Sequence, residues 1–367
     1  MATSARHAAR CAGFYGAVSL RPDLAAGSSP AHLREILEAH SCSLDTYVTH
    51  EAGTLPIILV SPHGGSAEPG RLQERSESTF PGGPCIGGPF SVERDHDTQE
   101  LLGYIAEGIY DRTGGWPYRV LGNVGRPYVD YNRDALHTTA GATLPYNGCA
   151  FEPSDEAFFY WKSFHDRIAA YVADIAAAGL SEHALLVDIH GFPGGDSYRN
   201  AIVVGTGAKT CNAIDQPRTL PNLKQRGADL AFLYDSESGL VPRLYAHANE
   251  FVDYEPGDTP GWQRMNTETY AYLAATQGLY FRSLRVIPTP DVPENASYCR
   301  PSGSRLPDGG FIHLWYSGLR QAYTGPKIDS LKFEFGDDLR SSFSRLFAFG
   351  WLTGVALGDA YLEFIAA

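Results

Sequence analysis

The sequence predicts an α/β protein built on a mixed central sheet with helices on both faces. Short apolar runs, typical of buried strands, alternate along the chain with segments in which apolar residues recur at helical spacing. Histidine and glycine follow or end two of these runs, as expected where strands deliver loops to one edge of a sheet. The runs that predict strands are residues 55–61, 184–190, 201–205, 283–287 and 331–335.

The helices are predicted from capping residues and apolar periodicity. One is expected to begin at Asp95, and another is capped by Ser154 or Asp155 and ends at Gly179. An apolar stretch at 346–357 is too short to cross a bilayer, so we expect a buried helix there and no membrane association. Further helical stretches are expected near residues 222–234 and 266–281.

The domain organisation is predicted from length and local composition. A chain of 367 residues can form two domains or one large unit, and we expect one large unit. Residues 1–50 are irregularly patterned and are interpreted as an N-terminal extension, which leaves 51–367 as a single domain. Residues 288–326 are rich in proline, glycine, serine and asparagine, which is typical of an active-site cover or of a flexible connection, and we favour a loop that covers an active site.

The net charge, the N-terminal sequence and the distribution of cysteines indicate which binding partners and which cellular compartment to expect. A formal net charge of −13 without a basic cluster would repel a phosphate backbone, so no nucleic-acid partner is expected. The N-terminus lacks the unbroken apolar core of a secretory signal, which favours a cytoplasmic location. The six cysteines are scattered, with no Cys-x-x-Cys pair, and we expect reduced, buried thiols, although disulfides stay open.

A first group of candidate metal ligands follows the strand predicted at 55–61. His63 leaves the strand end, Gly64 and Gly65 allow a tight turn, and Glu68 supplies a carboxylate five residues after the histidine. Imidazole and carboxylate together suit zinc. An ordinary glycine-containing loop would show the same pattern, so this group alone does not decide the function.

A second group repeats the design at the end of the strand 184–190. His190 is followed by Gly191, and Asp188 lies on the same strand face because side chains alternate along a strand. Three protein ligands and a vacant fourth position define a catalytic zinc, and His63, Glu68 and His190 fill that number. We therefore expect one Zn²⁺ ion, with Asp188 either orienting His190 or simply hydrogen-bonded within the strand.

Two further signals concern the chemistry around such an ion. Arg126 and Arg133 lie in a polar, turn-forming segment, where guanidinium groups could grip a carboxylate or stabilise an oxyanion. Surface pairing with Asp130 and Asp134 is the plainer alternative. Glu334 interrupts an apolar strand, and because a buried glutamate is costly unless paired or used, it is a candidate general base.

Four segments, in this order, resemble the N-formylglutamate amidohydrolase family. Residues 63–70 are even more similar to phage poly-γ-glutamate hydrolases, and both groups resemble the wider zinc carboxypeptidase fold. The resemblance spans residues of about 55–345. The four segments are Ser61-Pro-His-Gly-Gly, Asn123 to Arg133, Leu186-Val-Asp-Ile-His-Gly and Phe333-Glu-Phe-Gly-Asp-Asp-Leu-Arg.

The resemblance implies a zinc carboxypeptidase-like α/β fold, one zinc ion and hydrolysis of an amide bond next to a carboxylate. The implied substrate is a small molecule or is peptide-like, for example an N-acyl amino acid or a γ-glutamyl compound. Residues 51–367 would then be one catalytic amidohydrolase domain. Carried over by position, His63, Glu68 and His190 would bind the ion, Glu334 would be the base, Arg126 would polarise the carbonyl group, and Asn132 with Arg133 would hold the carboxylate.

The chain also departs from this family. Gly64 and Gly191 stand where these hydrolases have serine, so their substrate does not transfer directly. The family's acidic segment before the first long helix resembles residues 93–97 here, which makes Asp95 a rival of Glu68 as the acidic ligand and His96 a weaker one. Insertions near 205–265 and 288–326 have no counterpart, and we expect them to set substrate choice.

Other functions fit the sequence less well. A serine hydrolase is disfavoured because no Gly-x-Ser-x-Gly segment occurs. A dinuclear, arginase-like hydrolase of C–N bonds fits Asp188-x-His190, but no Asp-x-Asp-x-x-Asp segment supplies bridging carboxylates. A catalytically inactive binding protein on the same fold is the third alternative. The sequence does not indicate whether the chain forms oligomers.

Overall fold

A seven-stranded mixed sheet organises the part of the chain that the computed structural model describes. The strands are β1 Val48–Glu51, β2 Ile57–Ser61, β3 Tyr118–Gly122, β4 His137–Thr139, β5 Ala142–Leu144, β6 Leu185–Phe192, β7 Ala201–Ala208, β8 Arg285–Pro290 and β9 Asp329–Gly336. The strand order is β1-β3-β2-β6-β9-β7-β8, and β4 pairs with β5 separately. The described residues are 47–77, 90–135, 137–139, 142–144, 149–193, 199–208, 217–252, 284–290, 311–319 and 323–366.

The centre of the sheet is parallel. Strand β2 pairs in parallel with β3 and β6, and β6 pairs in parallel with β9, whereas β1 and β7 run antiparallel to their neighbours β3 and β9. The carboxyl ends of β2, β6 and β9 therefore meet at one edge of the sheet, as predicted for strands that share a site.

Helices cover both faces, as predicted. The helices are α1 Thr98–Thr113, α2 Asp155–Ala177, α3 Pro221–Gln225, α4 Asp229–Tyr234, α5 Leu240–Val252, α6 Phe311–Tyr316 and α7 Phe343–Ala360. Residues of β2 and β6 alternate between two cores: Ile57 and Leu185 pack with α1 and α7, whereas Ile58 and Leu186 pack with α2 and α6. This alternation is the two-residue period of a strand.

Helices α1 and α7 approach closely through glycine. A Cβ atom added at Gly354 would lie 2.1 Å from the carbonyl oxygen of Ile105, and one added at Gly108 would lie 2.2 Å from that of Trp351. Both contacts are with backbone atoms, which cannot move aside cheaply. The backbone of α1, which leads away from Asp95, is thus held directly against the buried helix predicted at the carboxyl end of the chain.

Several predicted boundaries change. Helix α1 is capped by Asp97, not Asp95, because Asp97 adopts the left-handed conformation (φ 63°) and its carbonyl oxygen accepts from the Leu101 N–H. Ser154 caps α2 as predicted, by accepting from the Ala157 N–H. Within the segment 288–326, expected to be one long loop, α6 forms a helix whose residues pack against Trp161 and His165.

Other elements were not predicted or lie outside the described residues. The sequence did not predict β1, β3 and α5, and β1 begins within residues 1–50, which were assigned to an extension. The helix expected at 266–281 lies outside the described residues.

Two further findings concern membrane association and cysteine. In the described part of the chain, every helix is too short or too polar to cross a bilayer. Cys149 is disulfide-bonded, so the expectation of reduced thiols is wrong for this residue.

Candidate metal centre

Three side chains from different segments meet at the carboxyl edge of the parallel strands. His63 follows β2, His190 is the sixth residue of β6, and Asp95 precedes α1. All three are buried, with relative exposures of 2%, 2% and 6%. The two histidines are 127 residues apart in the chain, and the parallel pairing of β2 with β6 brings them together.

The donor atoms of this cluster form a small triangle. His63 Nδ1 lies 3.3 Å from Asp95 Oδ2, His190 Nδ1 lies 3.1 Å from the same oxygen, and the two Nδ1 atoms are 3.1 Å apart. Donor atoms about 2.0–2.1 Å from a tetrahedral zinc ion lie about 3.3–3.4 Å from one another. The buried cluster of His63, Asp95 and His190 could therefore bind a metal ion.

Each histidine ring is held from behind by a carboxylate. His63 Nε2 lies 2.6 Å from Asp130 Oδ1, and His190 Nε2 lies 3.0 Å from Asp188 Oδ1. Such outer carboxylates fix the tautomer and orientation of histidines that bind metals. The pairing leaves Nδ1 of both rings directed at Asp95. The position of Asp188 predicted from strand alternation is confirmed.

Asp95 is fixed by its backbone and its side chain together. Its N–H donates to the His63 carbonyl oxygen (3.1 Å), and the Gly191 N–H donates to Oδ2 (3.2 Å). Arg126 Nη1 lies 3.6 Å from the other carboxylate oxygen, Oδ1. The left-handed backbone at Asp97 then starts α1, so the chain turns sharply just after Asp95.

The ionisable side chains of the cluster stabilise one another's charged forms. Burial alone would raise the pKa of the Asp95 carboxyl, but His63, His190 and Arg126 hold that pKa well below its usual range. Burial also disfavours charge on His190, yet Asp188 and Asp95 outweigh it and raise the His190 pKa to about 9. A metal ion bound at this cluster would displace the proton from His190.

Glu68 does not join this cluster. The bridge between Ala67 and Val124 fixes the backbone just before it, and the Glu68 side chain is exposed. The predicted grouping of Glu68 with His63 and His190 is therefore not found. The acidic residue that lies beside the two histidines is Asp95. His96, the weaker rival, is also exposed and lies outside the group.

The arginines of the polar segment are buried, not at the surface. Arg126 Nε donates to Asp130 Oδ2 (3.0 Å), and Arg133 Nη1 lies 3.9 Å from the same oxygen. Arg75, which the sequence analysis did not single out, approaches this oxygen to 3.6 Å. Burial raises the pKa of Asp130, but Arg133, His63 and Arg126 outweigh it and lower the pKa well below its usual value. Asp130 thus links His63 to the arginines.

Asn132 and Glu334 are both neighbours of His190 in the fold. Asn132 Nδ2 lies 2.9 Å from His190 Nε2, while its Oδ1 accepts from the Ile312 N–H of α6 (2.9 Å). Glu334 is the direct partner of His190 in the β6–β9 register, and it is 5% exposed. Its Oε1 lies 2.6 Å from Lys332 Nζ, which pairs the buried glutamate with a cation.

Comparison with known proteins finds distant structural likenesses. No protein-family model and no curated protein match the chain. The gene product Atu2144 from Agrobacterium tumefaciens is 16% identical, with a TM-score of 0.42 over 89% of this chain and 98% of that one. An N-formylglutamate amidohydrolase from Ralstonia eutropha JMP134 is 14% identical, with a TM-score of 0.39 over 88% and 98%. Likenesses at this level establish neither the family nor the activity of the chain.

Proposed function

We propose that the chain is a zinc-dependent hydrolase that cleaves an amide bond in a small-molecule or peptide-like substrate carrying a carboxylate. The observation that carries this proposal is the triangle of His63 Nδ1, His190 Nδ1 and Asp95 Oδ2, with edges of 3.1–3.3 Å. We also propose that the fold is zinc carboxypeptidase-like.

The donor set fits zinc better than harder cations. Two imidazole nitrogens and one carboxylate oxygen are the mixture that zinc accepts, whereas magnesium and calcium prefer oxygen ligands alone. Three protein ligands leave the fourth position open to water or substrate, as in catalytic zinc sites. The carboxylates of Asp130 and Asp188 behind the rings are also the outer contacts that such sites use.

The other residues then take defined roles. A bound zinc ion supplies Lewis-acid activation of water and of a carbonyl oxygen. Glu334, beside His190 in the sheet, accepts the proton from the attacking water and passes it to the leaving nitrogen. Arg126, 3.6 Å from Asp95, donates to the oxygen on which negative charge develops.

Substrate recognition rests on Arg133 and Asn132. Arg133 lies on the same turn as Asp130, and its guanidinium carries the planar pair of donors that suits a carboxylate. Asn132 contacts His190 through Nδ2, so it joins the carboxylate site to the metal ligands. An N-acyl amino acid or a γ-glutamyl compound has both the amide and the carboxylate that this arrangement requires.

The proposal is tested by metal analysis followed by a hydrolysis screen. The purified full-length chain should hold one zinc per chain and hydrolyse at least one member of a panel of N-acyl amino acids and γ-glutamyl isopeptides. Arg133→Ala should raise KM for that substrate while leaving zinc content unchanged. A zinc-loaded chain that hydrolyses nothing in the panel would favour the inactive binding protein, and two ions per chain would favour the dinuclear alternative.

A further inference from the structure

Arg340 is a buried arginine that the proposed reaction does not use. It ends the short helical turn Asp337–Arg340 after β9 and is 7% exposed. Its guanidinium donates to three backbone carbonyl oxygens: Nε to Phe335 (3.1 Å), Nη2 to Phe192 (3.4 Å) and Nη1 to His96. A guanidinium is a rigid plane, so these three bonds fix three chain segments relative to one another.

Each of the three acceptors lies beside a residue of the proposed site. His96 directly follows Asp95, and Phe335 directly follows Glu334. Phe192 lies two residues after His190, at the end of β6. One side chain thus bonds the backbone next to one acidic ligand, one histidine ligand and the candidate base.

The guanidinium group of Arg340 packs closely against Gly191 near the carboxyl end of β6. A Cβ atom added at Gly191 would lie 2.4 Å from Arg340 Cζ and 2.7 and 2.8 Å from its Nη2 and Nε. The end of an arginine side chain can usually move, but here movement would break the carbonyl bonds. Gly191 also donates its N–H to Asp95 Oδ2, so displacement at this point would reach the metal cluster directly.

The charge of Arg340 also acts on this cluster. Burial lowers the pKa of its guanidinium, and Asp95 and Glu334 are the carboxylates that counter this effect most strongly. The cation therefore interacts favourably with both the acidic ligand and the candidate base, in addition to its bonds to the backbone.

We propose that Arg340 is a positioning residue that sets the mutual geometry of Asp95, His190 and Glu334, and that glycine at 191 provides the space for it. The inference rests on the proposed zinc site. It predicts that Arg340 governs zinc affinity without contacting the ion, and that residues 191 and 340 are energetically coupled.

The first test is the zinc affinity of Arg340→Gln in the full chain. Affinity is measured by competition with a chromophoric chelator, well below the unfolding temperature of each metal-free variant. Loss of an outer contact typically weakens metal binding by about 10–100-fold, and we expect a loss in this range. Arg340→Lys, which keeps the charge but cannot reach three carbonyl groups, should restore the affinity only in part.

Arg345→Gln is the matched control. Arg345 lies five residues further on and donates to Asp338 O (3.2 Å) and Ser341 Oγ (2.6 Å), at the turn after β9. This variant should bind zinc as tightly as the wild type. An Arg340→Gln affinity within about twofold of the wild type, with the wild type binding one zinc, would overturn the inference and leave the proposed function standing.

The second test is a double-mutant cycle between positions 191 and 340. Gly191→Ala should weaken zinc binding about tenfold or more in the wild type, but by less than about threefold in the Arg340→Gln background, because the overlapping group is gone. Gly103→Ala, at a glycine with open space around it, is the control and should have no effect. Additive losses would contradict the inference, whereas a wild-type chain that binds no zinc would overturn the proposed function and this inference with it.

Discussion

The two faces of β6 and β9 differ in polarity although both belong to the same two strands. One face carries aliphatic and aromatic side chains, such as Val187 and Phe333, which are fully buried in the core with α1 and α7. The other carries charges: Asp188 lies opposite Lys332, and His190 lies opposite Glu334. Only the alternation of side chains along a strand separates these two environments.

The comparison shows that buried apolar side chains and buried charged side chains are stabilised in different ways. The apolar face is stabilised by removing hydrocarbon from water and by close packing. The polar face is equally buried, and because an isolated buried charge is strongly unfavourable, its groups are paired: Asp188 with His190 (3.0 Å) and Lys332 with Glu334 (2.6 Å). We expect substitutions on the first face to change stability, and substitutions on the second to change metal binding and rate.

The largest effect is expected at Glu334. Glu334→Gln keeps the shape of the side chain but removes the base, so the turnover number should fall by about 10²–10⁴-fold while zinc binding changes little. Phe333→Leu, one residue away on the apolar face, is the control and should keep most of the activity. Steady-state kinetics and zinc content of both variants make the comparison, and a fully active Glu334→Gln would show that the base is assigned wrongly.

The next effect separates the two candidate acidic ligands. Asp95→Ala removes one corner of the donor triangle, and zinc affinity should fall by more than about 100-fold, beyond what loss of an outer contact costs. Glu68→Ala changes an exposed side chain outside the cluster and should leave the affinity within about twofold. Chelator competition on both variants decides the matter, and the reverse order of effects would restore Glu68 as the ligand.

A third effect tests the apolar side of the comparison. Gly354→Ala places a Cβ atom 2.1 Å from the Ile105 carbonyl oxygen in the helix pair that covers this face. Overpacking against backbone should lower the free energy of unfolding by about 3 kcal/mol. Gly103→Ala, on the open side of α1, should instead be neutral or stabilising by up to about 1 kcal/mol. Chemical denaturation measures both, and equal stabilities would contradict the close packing of α1 and α7.

The most gradual effect concerns Asp329, a carboxyl group at the start of β9. Its oxygens accept from the N–H groups of Asn222 and Leu223, but burial raises its pKa to about 7, above the value of about 3.9 expected when unfolded. The stability from the protonated form is therefore present below about pH 4 and is lost as pH rises through 7.

This pH dependence is tested by comparison with Asp329→Asn. The wild type should lose stability relative to the variant between pH 4 and pH 7, by at most about 1.4 kcal/mol per pH unit, and the difference should level off above that range. Unfolding free energies of both proteins across this range provide the measurement. A difference that does not change with pH would show that the carboxyl of Asp329 titrates normally.

Much of the fold was predictable because its central strands are apolar runs with clear boundaries. Strands β2, β6 and β9 and the buried helix α7 were expected from sequence and are present. Strand β1, Val48–Glu51, was missed because three of its four residues are polar and partly exposed, as is common at a sheet edge. Its place is set by pairing with β3, which local sequence does not reveal.

The site was predictable only where a residue's type and strand position carry the signal. His63 and His190 end apolar strands beside glycine, and Glu334 interrupts one, so each stands out locally. Choosing Asp95 over Glu68 required the fold, because both are acidic residues in loops after β2.

The supporting residues were harder to predict, because their partners lie far away in the chain. Arg340 donates to the carbonyl oxygen of His96, 244 residues earlier, and Asp130 lies 67 residues from its partner His63. The position of Asp130 between Arg126 and Arg133 was a usable signal, but taken alone it favoured pairing at the surface.

The central claim is that two histidines and Asp95 hold one zinc ion at the carboxyl edge of β2 and β6. Diffraction from zinc-loaded crystals, measured on both sides of the zinc absorption edge, tests it most directly. We expect a single anomalous peak about 2.0–2.2 Å from His63 Nδ1, His190 Nδ1 and an Asp95 oxygen. A zinc peak elsewhere, or none at this cluster in crystals grown with zinc, would contradict the claim.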